Sequence, residues 1–347
     1  MNRSPQRFAG LDNWRAVLLL LGPVVHVAEP LSHRYGRILP LELVAYTSHA
    51  FRMEAFFAIA GFLAARTQLR KPEWLKKRVH TLLIPLLAVG VLIQFPMNLW
   101  LKSLWYHPYH LWFLVDLLLI AVSLYHIDRL DMLGWISKTP LLHLFLMIVV
   151  YRLINVGIYD HIPGHRFVKF WLQIASGIPY FVIFYLIGVK VAKNADFKAE
   201  LCVNKALWTG LCAVSFAVFI GYFVHFFSAI ISEQQSAAKY GFVVISLLFG
   251  IAATMSILSH ALGVRRQNAT LAWFSRGAYT VYLVHVPISS FLIHFLPRGN
   301  PFGQSVGLTM VTLTASMLIH EFGVRRSSTL QFLLNGNTSP KVANEIS

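Results

Sequence analysis

Charge is what this sequence has least of. Only 13% of its 347 residues are Asp, Glu, Lys or Arg, against 56% that are hydrophobic, and its mean hydropathy is +0.60. That is far too apolar for a single soluble core and fits a chain that crosses a bilayer several times. Acidic residues are the scarcer kind, 14 against 30 basic ones. The net charge of +16 would suit a nucleic-acid binder, but the basic residues gather in alternate loops between apolar runs. That is a topology signal, and no nucleic-acid partner is expected. Two cysteines, Cys202 and Cys212, make neither a disulfide framework nor a paired metal motif. A Walker-type or Gly-rich phosphate loop is missing, which argues against an ATP-driven machine. Nor is there an internal repeat, a low-complexity tract or a fused soluble domain. No small-residue cleavage site follows the first apolar run, so that run reads as a membrane helix.

What is present is a series of apolar segments at 14–31, 44–65, 82–101, 111–126, 140–158, 170–192, 206–227, 240–262, 277–296 and 303–323. Each is about the length that crosses roughly 30 Å of hydrocarbon. The expected fold is all-α and polytopic, with about ten transmembrane helices and both termini on one side. Of the 30 Lys and Arg, Arg34, Arg37, Lys102, Arg166, Lys169, Lys239 and Arg298 lie in one set of loops, and Arg15, Arg52 and Arg152 lie inside helices. All others fall in the leader, the loops 66–81, 127–139, 190–205 and 263–276, and the tail from 324. The positive-inside rule makes that side, with both termini, cytoplasmic. Pro40, Pro72, Pro108, Pro140, Pro163 and Pro301 mark helix boundaries, whereas Pro23, Pro96, Pro179 and Pro287 fall inside helices and predict kinks. Residues 1–334 read as one membrane domain and 335–347, NGNTSPKVANEIS, as a short disordered tail.

The first helix carries the most informative polar groups. Arg15 and His26 are separated by about 16 Å along a helix yet lie within roughly 20° of one face. Glu29, three residues beyond His26, shares that face. Ionisable groups inside a bilayer usually face a bundle interior or a water-filled cavity.

Several segments, in order along nearly the whole chain, resemble the acyltransferase-3 family of integral membrane enzymes, especially its branch of periplasmic glucan succinyltransferases. LDNWRAVLLLLGPVVH carries the family's Arg, ten residues, His spacing through Arg15 and His26. HAFRMEAFFAIAGFLAA from His49 is similar to its second-helix signature, HLWFLVDLLL from His110 to its fourth-helix motif, and SRGAYTVYLVHVPI from Ser275 to its Tyr-Leu-x-His-x-Pro motif. One position departs: where the family has Arg-x-x-Arg ahead of a proline, RVHTLLIP supplies Arg78 and then Thr81, with Lys76, Lys77 or His80 as basic substitutes. The resemblance implies transfer of an acyl group, acetyl or succinyl, from cytoplasmic acyl-CoA to a hydroxyl of an extracytoplasmic carbohydrate or glycolipid. It implies a bacterial inner-membrane location and acyl-CoA as co-substrate, with no permanently bound cofactor. The oligomeric state is not legible.

Acyl transfer to a hydroxyl needs a base for the proton and stabilisation of the oxyanion. His26 suits the base, and Glu29 suits a carboxylate that orients it, although Glu29 is equally placed to pair with Arg34 or Arg37. On the resemblance, Arg15 binds the donor; a snorkelling helix-end arginine is the plainer reading. The basic 66–81 loop, with Lys76, Lys77 and Arg78, suits coenzyme A phosphates or anionic membrane lipids. Arg52, close to His49, complements Glu29 or an anionic substrate group, or else forms a structural ion pair. His110 and Trp112 suit an acceptor sugar, and Asp116 a carboxylate that orients a histidine. Tyr282 and His285 share a face and are candidates both for the site and for polar cross-links between helices. His107 and His110 lack a third ligand, so no metal site is expected. The competing class is a secondary transporter or flippase that uses the buried Arg52, Glu29 and Asp116, but related halves with paired broken helices are not evident.

Overall fold

A computed structural model describes the chain except residues 1–7, 68–70, 101–108, 130–133, 135–137, 162–165, 233–236, 265, 267 and 337–347. His107, Lys102, Pro108 and Pro163 therefore lie outside the described residues. The rest is helical: α1 Ala9–Arg34, α2 Leu39–Ala65, α3 Pro72–Val89, α4 Phe95–Trp100, α5 Trp112–Arg129, α6 Leu141–His161 and α7 Arg166–Lys193. There follow α8 Ala195–Val203, α9 Lys205–His225, α10 Phe227–Ile231, α11 Ala237–Gly263, α12 Ala269–Phe295, α13 Pro301–Leu318 and α14 Ser328–Asn335. A π turn at Gly90–Gln94 joins α3 to α4, and a second at Ile319–Val324 extends α13.

Local chemistry sets these boundaries. Pro40, Pro72 and Pro301 open α2, α3 and α13, where a missing N–H does least harm. Asn194, Asn268 and Asn300 cap α8, α12 and α13 by accepting backbone N–H bonds. Pro23, Pro179 and Pro287 do lie inside helices. Pro96 falls just after the first π turn, whose wider winding accommodates a lost backbone bond.

Six helices among the described residues are long and apolar enough to cross a membrane, or seven if α8, bent by 99° from Gly177–Lys193, completes one broken span with it. α2 and α5 fall outside that set because of their own polar load: His49, Arg52 and Glu54 in one, Asp116, Asp128 and Arg129 in the other. Three sequence expectations change. Lys76, Lys77 and Arg78 sit on the first turns of α3, not in a loop, because Pro72 starts the helix there. The 190–205 loop contains α8, begun by the Asn194 cap. α2 begins at Leu39 rather than at 44, so Arg52 lies about 20 Å along it.

α2 packs most extensively on α7 and also touches α1 and α11, while α1 leans on α12. Two glycines permit the α2–α7 approach. Gly61 meets the Tyr185 carbonyl, and Gly188 meets the Ala58 carbonyl, with no room for a Cβ at either. Small residues of this kind are what let membrane helices close to backbone contact. Gly188→Val is expected to destabilise the fold by about 1–3 kcal/mol, read as a lower unfolding temperature in detergent. An unchanged transition would disprove the tight crossing.

α1 is tied to the far end of α12. Arg34 Nη1 and Nη2 donate to the carbonyls of Ile293 and Leu296 at 2.7 and 2.6 Å. Beside it, buried Glu42 accepts from Ser32 Oγ at 2.9 Å and Arg37 Nη1 at 3.0 Å. Arg37 and Arg34 are thus engaged elsewhere than with Glu29.

Candidate functional site

α1, α2, the turn before α5, and α12 bring four titratable groups to the middle of the bundle. The ring centroids of His26 and His285 are 5.2 Å apart, those of His110 and His285 5.4 Å, and those of His110 and Tyr282 6.0 Å. Arg52 arrives from α2. Its Nη1 lies 3.0 Å, and His285 Nε2 3.3 Å, from the point a Cβ would occupy on Gly22. Gly22 therefore sits where the guanidinium and the imidazole converge on α1, one turn before His26. In the sequence this position shows only as a lone glycine within an apolar run.

Hydrogen bonds fix two of the three imidazoles. His285 Nδ1 faces the carbonyls of Tyr282 and Val281 at 2.7 and 3.0 Å. Carbonyls only accept, so Nδ1 carries the proton and Nε2 is bare. His110 Nε2 donates to the Leu283 carbonyl at 3.1 Å, leaving its Nδ1 bare. The Tyr282 hydroxyl in turn donates to the His110 carbonyl at 2.5 Å, which stitches α12 to the segment that opens α5. His110 and His285 are sealed, 2% and 0% exposed. His26 is half-buried, the least enclosed of the three.

Several polar atoms here are buried without any hydrogen-bond partner, Arg52 Nε, His110 Nδ1 and His285 Nε2, and so are both carboxylate oxygens of Asp116 further out. Buried orphan atoms are rare in native proteins and call for an explanation. A polar ligand or water at the site supplies one.

The remaining candidates spread outward. Glu29 Oε2 lies 3.6 Å from His49 Nε2, so its partner is a histidine of α2 and not His26. One helix's face alone does not reveal a neighbour across the interface. Trp112 tilts against Phe181 at 5.3 Å, and Asp116 lies near Gly177 on α7. Arg15, about 16 Å from His26 along α1, is within 4.0 Å of Asp12 with its side chain 40% exposed. Lys76 and Lys77 are exposed, and Arg78 lies over the Trp74 ring at 5.6 Å. Thr81 spends its hydroxyl on the Lys77 and Arg78 carbonyls, so it does not stand in for a missing arginine. Glu54 accepts from the Tyr180 hydroxyl at 2.9 Å, a contact that no sequence spacing signalled. The Phe56–Phe57 pair packs edge-on against Phe113 at 4.8 and 5.2 Å. That part of the second-helix signature is scaffold: it seats α5, and with it His110.

A bundle of apolar helices with a buried cluster of histidines and an arginine at its centre defines a multi-pass membrane protein with a polar site inside. A family model described as an acyltransferase domain matches residues 8–321, and the chain belongs to that acyltransferase family. Among curated proteins it is similar to those named "Glucans biosynthesis protein C" from Salmonella heidelberg, Salmonella typhi and Salmonella typhimurium. Each is 25% identical over 380 residues, covering 95% of either chain. No solved structure matches.

Proposed function

We propose that the protein transfers an acyl group, acetyl or succinyl, from cytoplasmic acyl-CoA to a hydroxyl of an extracytoplasmic carbohydrate or glycolipid. The observation that carries this reading is the meeting of half-buried His26 with Arg52 and His285 inside an acyltransferase bundle. The similarity to proteins named for glucan biosynthesis supports the carbohydrate acceptor.

In the proposed reaction an imidazole nitrogen of His26 takes the acceptor hydroxyl's proton as its oxygen attacks the thioester carbonyl. Arg52 faces the negative charge that develops on that carbonyl oxygen. The C–S bond then breaks, and the imidazolium returns its proton to the departing thiolate, giving the ester and free coenzyme A. His285 and His110, with fixed tautomers, hold the shape of the pocket around His26. Arg15, Lys76, Lys77 and Arg78 provide the positive charge for the donor's phosphates, and His49, Trp112, Asp116 and Tyr282 border the acceptor side. The topology that goes with this reading has ten crossings in the inner membrane, with both termini cytoplasmic. Residues 1–334 form the membrane domain and 335–347 a tail.

Purified protein with labelled acetyl-CoA or succinyl-CoA and a glucan oligosaccharide is expected to release free thiol only when acceptor is present, with one acyl mass added to the sugar. Transport of the sugar without thioester turnover would refute it.

A further inference from the structure

Away from the histidines, the N-terminal part of α12 and the end of α13 enclose a groove of about 770 Å³, within the roughly 300–1,000 Å³ of ordinary ligand sites. Its walls are Trp273 and Phe274 from α12 with Met310, Leu313, Met317 and Phe322 from α13 and the π turn. Met310 and Phe322 are about three-fifths exposed, so the groove opens at the side of an apolar helix long enough to span a membrane. From Met310 to Phe322 the wall rises about 18 Å, close to one leaflet's half of a hydrocarbon layer about 30 Å thick.

The groove's end carries the charge. Glu321 pairs with Arg325, which neutralises one cation. The Arg326 guanidinium lies 4.9 Å above the Phe322 ring, exposed and part of the groove's lining. An apolar trough one leaflet long, ending in a net positive charge, complements an amphiphile with a hydrocarbon tail and a singly negative head. The neighbouring π turn points His320 inward, where its Nδ1 lies 2.9 Å from Thr280 Oγ1 on α12. α12 carries Tyr282 and His285 about one turn further on, so a filled groove braces the helix that shapes the central site.

We propose that this groove is a binding site for one anionic phospholipid, its acyl chain along Met310–Phe322 and its phosphate at Arg326. The full chain, purified and delipidated in a neutral detergent, is offered equal amounts of phosphatidylglycerol and phosphatidylcholine and weighed by native mass spectrometry. One phosphatidylglycerol is expected to stay bound. Arg326→Gln removes one lipid-facing cation, worth about 1 kcal/mol, and is expected to weaken retention about fivefold. Thr314→Trp fills the exposed trough and is expected to abolish retention. Both variants alter exposed positions, and an unchanged unfolding transition shows that each folds. Equal retention of the two lipids, retention indifferent to both variants, or a lipid-free dimer covering the groove would each overturn the proposal.

Discussion

Replacing His26 by alanine is expected to lower acyl transfer by about 10²–10⁴-fold, the usual contribution of a positioned general base. The loss should fall on kcat, with the donor's KM little changed, because the basic residues proposed to hold coenzyme A are far along α1 and on α3. His26 is the right residue to test because the other two imidazoles are sealed and already bonded to carbonyls. Folding provides the control. Thermal unfolding of the variant in detergent separates a lost base from a lost fold. A His26→Ala protein that folds and still transfers acyl groups at the original rate would remove the base from the mechanism.

Arg52→Met is expected to separate activity from stability. Arg52 is 8% exposed, and among the described residues no carboxylate lies within ion-pair distance of it; Glu54, two residues on, is engaged by Tyr180. A buried charge without a counter-ion carries a desolvation penalty that an apolar side chain of similar size avoids. The variant should therefore fold as well as the parent or better, while transfer falls by about 10²–10³-fold, as when one donor to a developing oxyanion is removed. A structural ion pair makes the opposite forecast: about 3–5 kcal/mol of lost stability. Thermal unfolding beside single-turnover transfer reads both quantities, and a destabilised variant of unchanged turnover number would dismiss Arg52 as a catalytic group.

The sequence exposed the residues that cluster more readily than their partners. His26, Arg52, His110 and His285 stood out because titratable groups in apolar runs are costly and so conspicuous, and these four do come together. Glu29 misled for a physical reason: helical periodicity places it on the face of His26, but its length and direction take it across to His49 on α2. The basic segment near Arg78 looked like a loop because its charges hide a helix that Pro72 opens. Gly22, Gly61 and Gly188 were the least legible, since what makes a glycine necessary is the atom on the other helix. The polar load that singles out α2 and α5 as site-bearing is also what sets them apart from the six plainly apolar spans.

α12 is fastened along its whole length. Arg34 holds its last turn, Tyr282 grips the His110 carbonyl, and nearer its start the Tyr279 hydroxyl donates to the Thr81 carbonyl at 2.7 Å while Thr280 meets His320. A helix pinned at so many points has little freedom to swing as charge moves between donor and acceptor. The dipoles it presents are set before the reaction begins, so the reorganisation energy that water would exact at each step is largely absent. His285 and Tyr282, carried on that helix, are the fixed reference of the cluster.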